Sequence, residues 1–227
     1  MSDGLLGRHV VITGGDGGLG RAVVAACVAA GAQCHLPILG PVTTPPVAGV
    51  QLTGSVNLTD EHSVESYYCG LPPLAASIHL AGGFQSKAIA DTSLADLDRQ
   101  LQINLVTAFL CCREAVRAMR ATGGGRIVNV AARVVLVPGP GMVAYSIAKA
   151  AVAALTRSLA EEVGHDGIQV NAILPSIIDT PANRAAMPNA PIDRWPRPDE
   201  IAATILWLAS PANHLTSGAL VPVYGKA

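Results

Sequence analysis

The sequence predicts an α/β domain in which a parallel sheet carries helices on both faces. Short apolar runs rich in β-branched residues alternate with longer segments of helical periodicity along the whole chain. Strands that are apolar throughout, separated by helices, are typical of a parallel sheet covered on both sides. With 227 residues, half of them apolar and 14% charged, the chain suits one domain, 1–227, with a large core.

Seven apolar runs are predicted to be strands. In chain order they are HVVIT (9–13), QCHLPIL (33–39), VQL (50–52), ASIHLA (76–81), RIVNVA (126–131), IQVNAIL (168–174) and ALVPV (219–223). Helical periodicity fills most of the gaps, and the first helix, RAVVAACVAAGA, ends on Gly31. The two clearest helices span 94–121, opened by Ser93, and 144–164, closed by Gly164.

A glycine-rich turn, T-G-x-x-x-G-x-G, joins the first strand to the first helix. Glycine permits the tight turn and lets the backbone approach a pyrophosphate on the helix N-terminus. Glycine also serves ordinary turns, but within alternating strands and helices the pattern indicates a doubly wound, Rossmann-type domain that binds a dinucleotide. The loop residues predicted to contact the cofactor are Thr13, Gly14, Asp16, Gly17, Gly18, Leu19 and Gly20.

Tyr145 and Lys149 lie together in the small, apolar stretch MVAYSIAKAA (142–151). Four residues make about one helical turn, so both side chains share a face. A lone Y-x-x-x-K is also compatible with the exposed stripe of an amphipathic helix. Beside a dinucleotide the pair has a chemical use, because a phenol can donate a proton to an acceptor that receives hydride, and a nearby cation lowers its pKa.

These two motifs together resemble the short-chain dehydrogenase/reductase family. HLAGG (79–83) is similar to the family's N-N-A-G turn, IQVNAILPSIIDTP (168–181) to its nicotinamide-side segment, and residues 197–218 to its closing helix and turn. The resemblance covers nearly the whole chain, with the motifs in the family's order. It implies an NAD(P)-dependent oxidoreductase.

The resemblance also implies roles for individual residues. Tyr145 would be the acid and base, Lys149 its electrostatic tuner and a ligand of the nicotinamide ribose, and Asn104 the active-site asparagine. Beyond the glycine loop, Tyr145 and Lys149, the cofactor contacts that it implies are Asn57, Ala81, Gly82, Pro175, Ile178 and Thr180.

One residue of the family pattern is missing. Members of the family usually have a serine that polarises the substrate carbonyl, and this sequence has Ala132 at the corresponding position. Loss of such a donor typically costs about 3 kcal/mol at the transition state, which disfavours an ordinary alcohol/ketone dehydrogenase. The alternatives are a carbonyl or 3-oxoacyl reductase with another donor in this place, and a pseudoenzyme that holds a dinucleotide without catalysis.

A narrower resemblance accounts for the gap. The A-R dipeptide at 132–133 and the stretches 140–152 and 174–195 are similar to the quinoid dihydropteridine reductases, members of the family that also lack the serine. This likeness implies an activated, quinonoid or pterin-like acceptor that is protonated at nitrogen. The residues expected to contact the substrate are Ala132, Arg133, Phe84 and Trp195.

The segment 179–198 is short and proline-rich, and it is predicted to form a substrate lid. Its arginines suit either a solvated surface or an anionic or ring-shaped substrate. For the cofactor, the second strand ends in CHLPILGP with no acid for a ribose hydroxyl and no cation for a 2'-phosphate. Asp16 would disfavour a 2'-phosphate, so NAD(H) is favoured and NADP(H) is possible.

Charge and cysteine usage narrow the list of partners. A net charge of -1 without a Lys/Arg cluster argues against nucleic acid or anionic lipid. Five scattered cysteines and six dispersed histidines lack metal-ligand spacing, and no charged leader precedes a long apolar segment, so we expect no metal and a cytoplasmic location. Apolar helix faces around 105–119 and 152–159, with the family resemblance, predict a homodimer or homotetramer that acts on a small molecule.

Overall fold

A computed structural model describes residues 3–226 of the chain. All seven predicted strands form one sheet in the order β3-β2-β1-β4-β5-β6-β7, and every neighbouring pair is parallel. The strand order reverses between β1 and β4, where doubly wound sheets open a ligand crevice at the carboxyl ends of the strands. The strands are β1 (His9–Thr13), β2 (Gln33–Pro37), β3 (Val50–Thr53), β4 (Leu74–His79), β5 (Gly125–Val130), β6 (Ile168–Pro175) and β7 (Leu220–Val223).

Helices cover both faces of the sheet, so the predicted doubly wound fold is confirmed. Helices α1 and α7 pack on one face, whereas α2, α4 and α5 pack on the other. Within the described residues, no helix is long and apolar enough to cross a membrane. The helices are α1 (Gly18–Ala29), α2 (Glu61–Cys69), α3 (Leu94–Leu101), α4 (Thr107–Arg120), α5 (Val143–Val163), α6 (Pro181–Ala186) and α7 (Pro198–Ala209).

The strand β1 shows why the sequence of a central strand is apolar without alternation. Val10 and Ile12 are buried against α1 and α7, while Val11 is buried against α2 and α4. Successive side chains of a strand point to opposite faces, and here both faces are covered. The run HVVIT therefore lies at the centre of two cores and brings Thr13 to the crevice.

The long helix predicted over 94–121 is divided in the structure. Ser93 caps α3 as expected, in a reciprocal capping box with Asp96. A π-helical turn, Gln102–Val106, then separates α3 from α4. Within it the Asn104 side chain donates to the Gln100 carbonyl at 3.1 Å, a contact that competes with the regular helical ladder. Such turns are frequent at functional sites.

Candidate active site

The glycine-rich turn forms a cradle at the N-terminus of α1, where several positions have no room for a Cβ atom. Gly14 has φ 64°, and a Cβ there would lie 2.9 Å from the Ala81 nitrogen. A Cβ at Gly20 would overlap the Gly14 carbonyl, and one at Gly18 would come within 2.8 Å of the Thr180 side chain. Only glycine fits the first two positions, and the open helix terminus suits a pyrophosphate. The predicted cofactor loop thus fits a dinucleotide.

The turn after β4 is tied to this cradle and to the catalytic candidates. Thr13 Oγ1 accepts a hydrogen bond from the Ala81 nitrogen at 3.1 Å. A Cβ on Gly82 would lie 2.7 Å from Asn104 Oδ1 and 3.5 Å from Lys149 Nζ. The predicted residues Thr13, Ala81, Gly82, Asn104 and Lys149 are therefore brought together at one edge of the sheet.

Asn104 holds the backbone that follows this turn. It is buried, its Oδ1 accepts from the Gly83 nitrogen at 3.1 Å, and its Nδ2 donates to the Gly83 carbonyl at 3.0 Å. The inward turn of the π-helical segment makes both bonds possible. Asn104 thus fixes the chain immediately before Phe84, a predicted substrate contact.

Tyr145 and Lys149 lie one turn apart on α5, as their spacing predicts. Lys149 Nζ donates to the Val130 carbonyl at 2.7 Å and lies 6.0 Å from the centroid of the Tyr145 ring. Burial lowers the pKa of Lys149 to about 8 and raises the pKa of Tyr145 to about 12. The direction for Tyr145 is opposite to the expected one, because desolvation of the phenolate outweighs a cation at this distance.

The substrate side of the site is partly aromatic. Phe84 is 60% exposed and stands edge-on to Tyr145, with 5.0 Å between the ring centroids. Ala132 is 6% exposed and lies just beyond β5, two residues after the carbonyl that Lys149 contacts. The carboxyl end of β5 therefore presents a methyl group where the family pattern has a hydroxyl.

Two other predicted substrate residues point elsewhere. The Arg133 guanidinium lies 5.3 Å from the centroid of the Tyr224 ring, and its buried Nε has no hydrogen-bond partner among the described residues. Trp195 is only 6% exposed, so it packs inside the protein rather than projecting from the lid. Their positions depend on tertiary packing, which the linear pattern does not contain, and their contact with substrate stays a prediction.

The arginines of the lid are engaged within the protein. Arg184 pairs with Asp179 at 2.8 Å, and Arg194 donates to the Lys226 carbonyl at 3.0 Å. Arg197 pairs with Asp199 at 3.3 Å. These contacts tie the segment 179–198 to itself, to the first turn of α7 and to Lys226, which favours the structural interpretation of its arginines.

The remaining predicted cofactor contacts border the crevice in different ways. Thr180 Oγ1 accepts from the Asn183 nitrogen at the start of α6, and Asn183 donates to the Ile178 carbonyl, while Pro175 ends β6. Asn57 is exposed, and its Oδ1 accepts from Thr59, which leaves its amide NH₂ for a ligand. In the loop, Asp16 and Gly17 are exposed and Leu19 packs toward the core.

A buried polar chain below the site was missed by the sequence analysis. Tyr68 bonds to Ser77 at 2.9 Å, Ser77 to His79 at 2.8 Å, and His79 to Asn129 at 2.8 Å. Asn129 Nδ2 then donates to Thr156 on α5 at 3.0 Å. Polar residues within otherwise apolar strands could have indicated this network, because a buried polar group needs a hydrogen-bond partner. This series of hydrogen bonds joins β4, β5 and α5, the helix that carries Lys149.

The protein is expected to lose stability as the pH falls from 6.5 toward 4. Burial lowers the pKa of His79 from 6.5 to about 4, so over this range the unfolded state binds a proton that the folded state does not. Stability therefore falls by about 2 to 3 kcal/mol by pH 4.5. Urea unfolding at pH 7.5 and pH 4.5 measures this difference.

The matched variant for this experiment is His79→Asn, which removes the titrating group and keeps a polar side chain. Its loss of stability between the two pH values should be clearly smaller than that of the wild type. Burial and the neighbouring His9 also lower the pKa of His35, which contributes in the same direction and remains in both proteins. An equal pH dependence in the two proteins would show that His79 is not the group responsible.

Comparison with known proteins agrees with this geometry. Residues 15–225 match the family model described as "Enoyl-(Acyl carrier protein) reductase". The chain is 32% identical over 248 aligned positions to the 2,5-dichloro-2,5-cyclohexadiene-1,4-diol dehydrogenase of Sphingobium indicum, covering 99% of this chain and 98% of the relative. It is also 32% identical to the cis-4-hydroxycyclohexanecarboxylate dehydrogenase of Sinomonas cyclohexanicum, with the same coverage.

Solved structures show the same fold. A short-chain type dehydrogenase/reductase from Mycobacterium ulcerans superposes with a TM-score of 0.89 at 23% identity, covering 98% of this chain and 90% of the other. ElxO with NADP bound superposes with a TM-score of 0.87 at 21% identity, covering 97% and 98%.

The chain belongs to the short-chain dehydrogenase/reductase family and is an NAD(P)-dependent oxidoreductase. The family resemblance of the sequence is thereby confirmed. The narrower likeness to the quinoid dihydropteridine reductases receives no support from these comparisons, in which the relatives with a named activity are diol and alcohol dehydrogenases, among them a galactitol 2-dehydrogenase. Within the described residues, no cluster of His, Cys, Asp and Glu is arranged to hold a metal ion.

Proposed function

We propose that the protein transfers hydride to a ring-shaped, activated acceptor of quinonoid or pterin-like type, with Tyr145 as the proton donor. The observation that carries the proposal is Ala132, whose buried methyl group replaces the usual hydroxyl at the end of β5. A conjugated, electron-poor ring spreads the negative charge that develops on reduction. It therefore needs less local stabilisation than the oxyanion of a plain ketone.

The residues of the site suit proton donation. When bound, the dinucleotide supplies the hydride, and the glycine cradle and Lys149 would hold it. Because burial raises the pKa of Tyr145 to about 12, the phenol stays protonated at neutral pH and can donate. The reverse direction requires the phenolate, which this environment disfavours. The phenol is therefore suited to donate a proton during reduction.

Phe84 supports a planar substrate. Its ring is mostly exposed, stands edge-on to Tyr145, and is positioned through the bonds of Asn104 to Gly83. A flat ring can stack on an exposed aromatic face beside the proton donor, with a gain of about 1 kcal/mol beyond area burial. A flexible aliphatic ketone gains less from such a wall.

The second candidate is dehydrogenation of a cyclic alcohol. The names of two relatives favour it, since both describe enzymes that act on six-membered rings bearing hydroxyl groups. A cyclohexadiene-diol lies one dehydrogenation away from an aromatic ring, so it is activated as a hydride donor, whereas a quinonoid ring is activated as a hydride acceptor. The pterin-like acceptor is supported by local sequence likeness alone.

Turnover with a panel of substrates tests the proposal. NADH and NADPH are each supplied with a quinonoid dihydropterin, a quinone and cyclohexanone, and NAD⁺ and NADP⁺ with a cyclohexadiene-diol and cyclohexanol. We expect the highest kcat/KM on an activated ring. Efficient reduction of cyclohexanone with no turnover of activated rings would overturn the proposal, whereas oxidation of the alcohols alone would favour the second candidate.

We expect tighter binding of NADH than of NADPH. Asp16 is exposed in the cradle, and the residues after β2, Ile38 to Pro41, include no cation to hold a 2'-phosphate. Fluorescence titration with both cofactors measures the preference. In Asp16→Asn the difference in affinity between NADH and NADPH should become smaller, because the negative charge that repels the 2'-phosphate is removed. A tenfold preference of the wild type for NADPH, about 1.4 kcal/mol, contradicts the assignment.

The homo-oligomer also remains a proposal. Phe109 on α4 and Ile147 on α5 leave 48% and 46% of their surface exposed. Exposed apolar side chains on neighbouring helices favour contact with a second copy. Sedimentation velocity at several concentrations distinguishes a monomer, a dimer and a tetramer.

A further inference from the structure

We infer that a groove at the amino ends of the strands, on the opposite side of the sheet from the candidate active site, binds a small dianion of phosphate type. The groove has a volume of about 590 Å³ and lies between the starts of β1, β4 and β5 and the end of α7. The inference concerns a second site and does not depend on the proposed reaction. The groove is lined by Gly7, Arg8, His9, Pro73, Leu74, Ala75, Thr122, Gly123, Gly124, Gly125, Arg126, Gly167, Ala209 and Pro211.

The groove carries positive charge that the described residues do not neutralise. Arg8 and Arg126 both line it, together with His9, and none of the lining residues is acidic. The carboxylate of Asp166, next to Gly167 in the chain, pairs with Arg120 at 2.7 Å. Two guanidinium groups that share a groove without a carboxylate repel each other, and a bound dianion would relieve this repulsion.

Arg126 is held in place for such a contact. Its Nε donates to the Asn213 carbonyl at 2.6 Å and its Nη1 to the Gly125 carbonyl at 3.0 Å. Its Nη2 makes no hydrogen bond with any described residue. Burial, and then repulsion from Arg8, lower the pKa of Arg126, as expected of a cation whose charge lacks a counterion. The side chain is ordered by carbonyls and keeps donor capacity for a ligand.

Arg8 has no comparable structural role. It is exposed just before β1 and forms no side-chain hydrogen bond or ion pair in the described part of the chain. Opposite it, the turn Gly123 to Gly125 has no Cβ atoms, and Gly124, with φ 125°, approaches the Gly167 carbonyl too closely for any side chain. A ligand could therefore contact the backbone of the groove directly while two arginines bind its oxygens.

Inorganic phosphate is the probe, titrated by calorimetry and by thermal unfolding at constant ionic strength balanced with chloride. A saturating concentration of the tighter-binding reduced cofactor keeps phosphate out of the glycine cradle. We expect phosphate to raise the Tm beyond chloride controls. Arg8→Gln should weaken phosphate binding by about tenfold or more, while Arg99→Gln, an exposed arginine on α3 outside the groove, should leave it unchanged.

Arg126→Lys is a second test, because it retains the charge but loses the forked donors. Loss of the bonds to the Asn213 and Gly125 carbonyls should itself lower the Tm of this variant in chloride, so phosphate binding is compared by calorimetry at a temperature where both proteins are folded. Weaker phosphate binding by the folded variant supports the groove as the site. Equal phosphate binding by the wild type and Arg8→Gln would place the anion elsewhere and overturn the inference. So would the absence of any phosphate-specific stabilisation up to about 20 mM, where even a weak site should respond.

Discussion

Replacing Tyr145 with phenylalanine is expected to lower turnover by about a hundredfold or more, with folding and cofactor affinity nearly unchanged. The substitution removes the phenolic oxygen and retains the ring that packs edge-on against Phe84. The hydroxyl makes no hydrogen bond with a described residue, so its loss leaves no protein partner unsatisfied. Steady-state kinetics on the best substrate, with a cofactor titration and a thermal melt, measure the three quantities.

Two further variants make this result specific. Tyr67→Phe is a matched control, because Tyr67 is buried on α2 away from the crevice and its hydroxyl also lacks a partner; its turnover should equal that of the wild type. Lys149→Ala should reduce both turnover and cofactor binding, since the amine bonds to the Val130 carbonyl and is predicted to hold the ribose. If Tyr145→Phe keeps full activity, the catalytic interpretation of Y-x-x-x-K is wrong.

The fold could be predicted because its determinants are local. Every predicted strand appears in the sheet, since runs such as HVVIT bury side chains on both faces and cannot be placed at the surface. The cradle could be predicted for the same reason. Gly14 and Gly20 are required by contacts within the turn and with the adjacent strand end, so the sequence pattern and the geometry carry the same information.

The orientations of several side chains could not be predicted, because they depend on distant partners. Arg133 turns toward Tyr224, which is far along the chain, and Trp195, a predicted substrate contact within the lid, is only 6% exposed. Asn104 was placed in a continuous helix, yet its bonds to Gly83 accompany a π-helical turn. None of these contacts has a short-range pattern in the sequence.

The pKa shifts in the site also could not be predicted from the sequence alone. The spacing of Tyr145 and Lys149 predicts a cation near a phenol and therefore a lowered pKa. The structure shows that both groups are buried, and burial raises the pKa of Tyr145 instead of lowering it. The same limitation applies to His79, whose low pKa follows from its position in the centre of the sheet and from desolvation.

Replacing Ala132 with serine is expected to raise any weak ketone reduction by about a hundredfold to a thousandfold, the range linked to one oxyanion donor. On an activated ring, turnover should change only slightly, because that substrate spreads its developing charge. Ala132 lies just beyond β5 at the edge that faces the crevice, so the added oxygen should find a partner at little cost in stability. The measurement is kcat/KM of both proteins on a quinone, a dihydropterin and cyclohexanone.

The adjacent residue provides the control for this comparison. Ala131 is buried in the core beside Val152 and Leu174, so a hydroxyl in Ala131→Ser should lower the free energy of unfolding without raising ketone turnover. Higher ketone turnover in both variants would mean that added polarity, rather than a hydrogen-bond donor at position 132, changes the rate. If the unmodified protein already reduces ketones efficiently and Ala132→Ser adds nothing, another group supplies the missing hydrogen bond. The methyl group at 132 would then say nothing about the substrate, because the site would contain its oxyanion donor elsewhere.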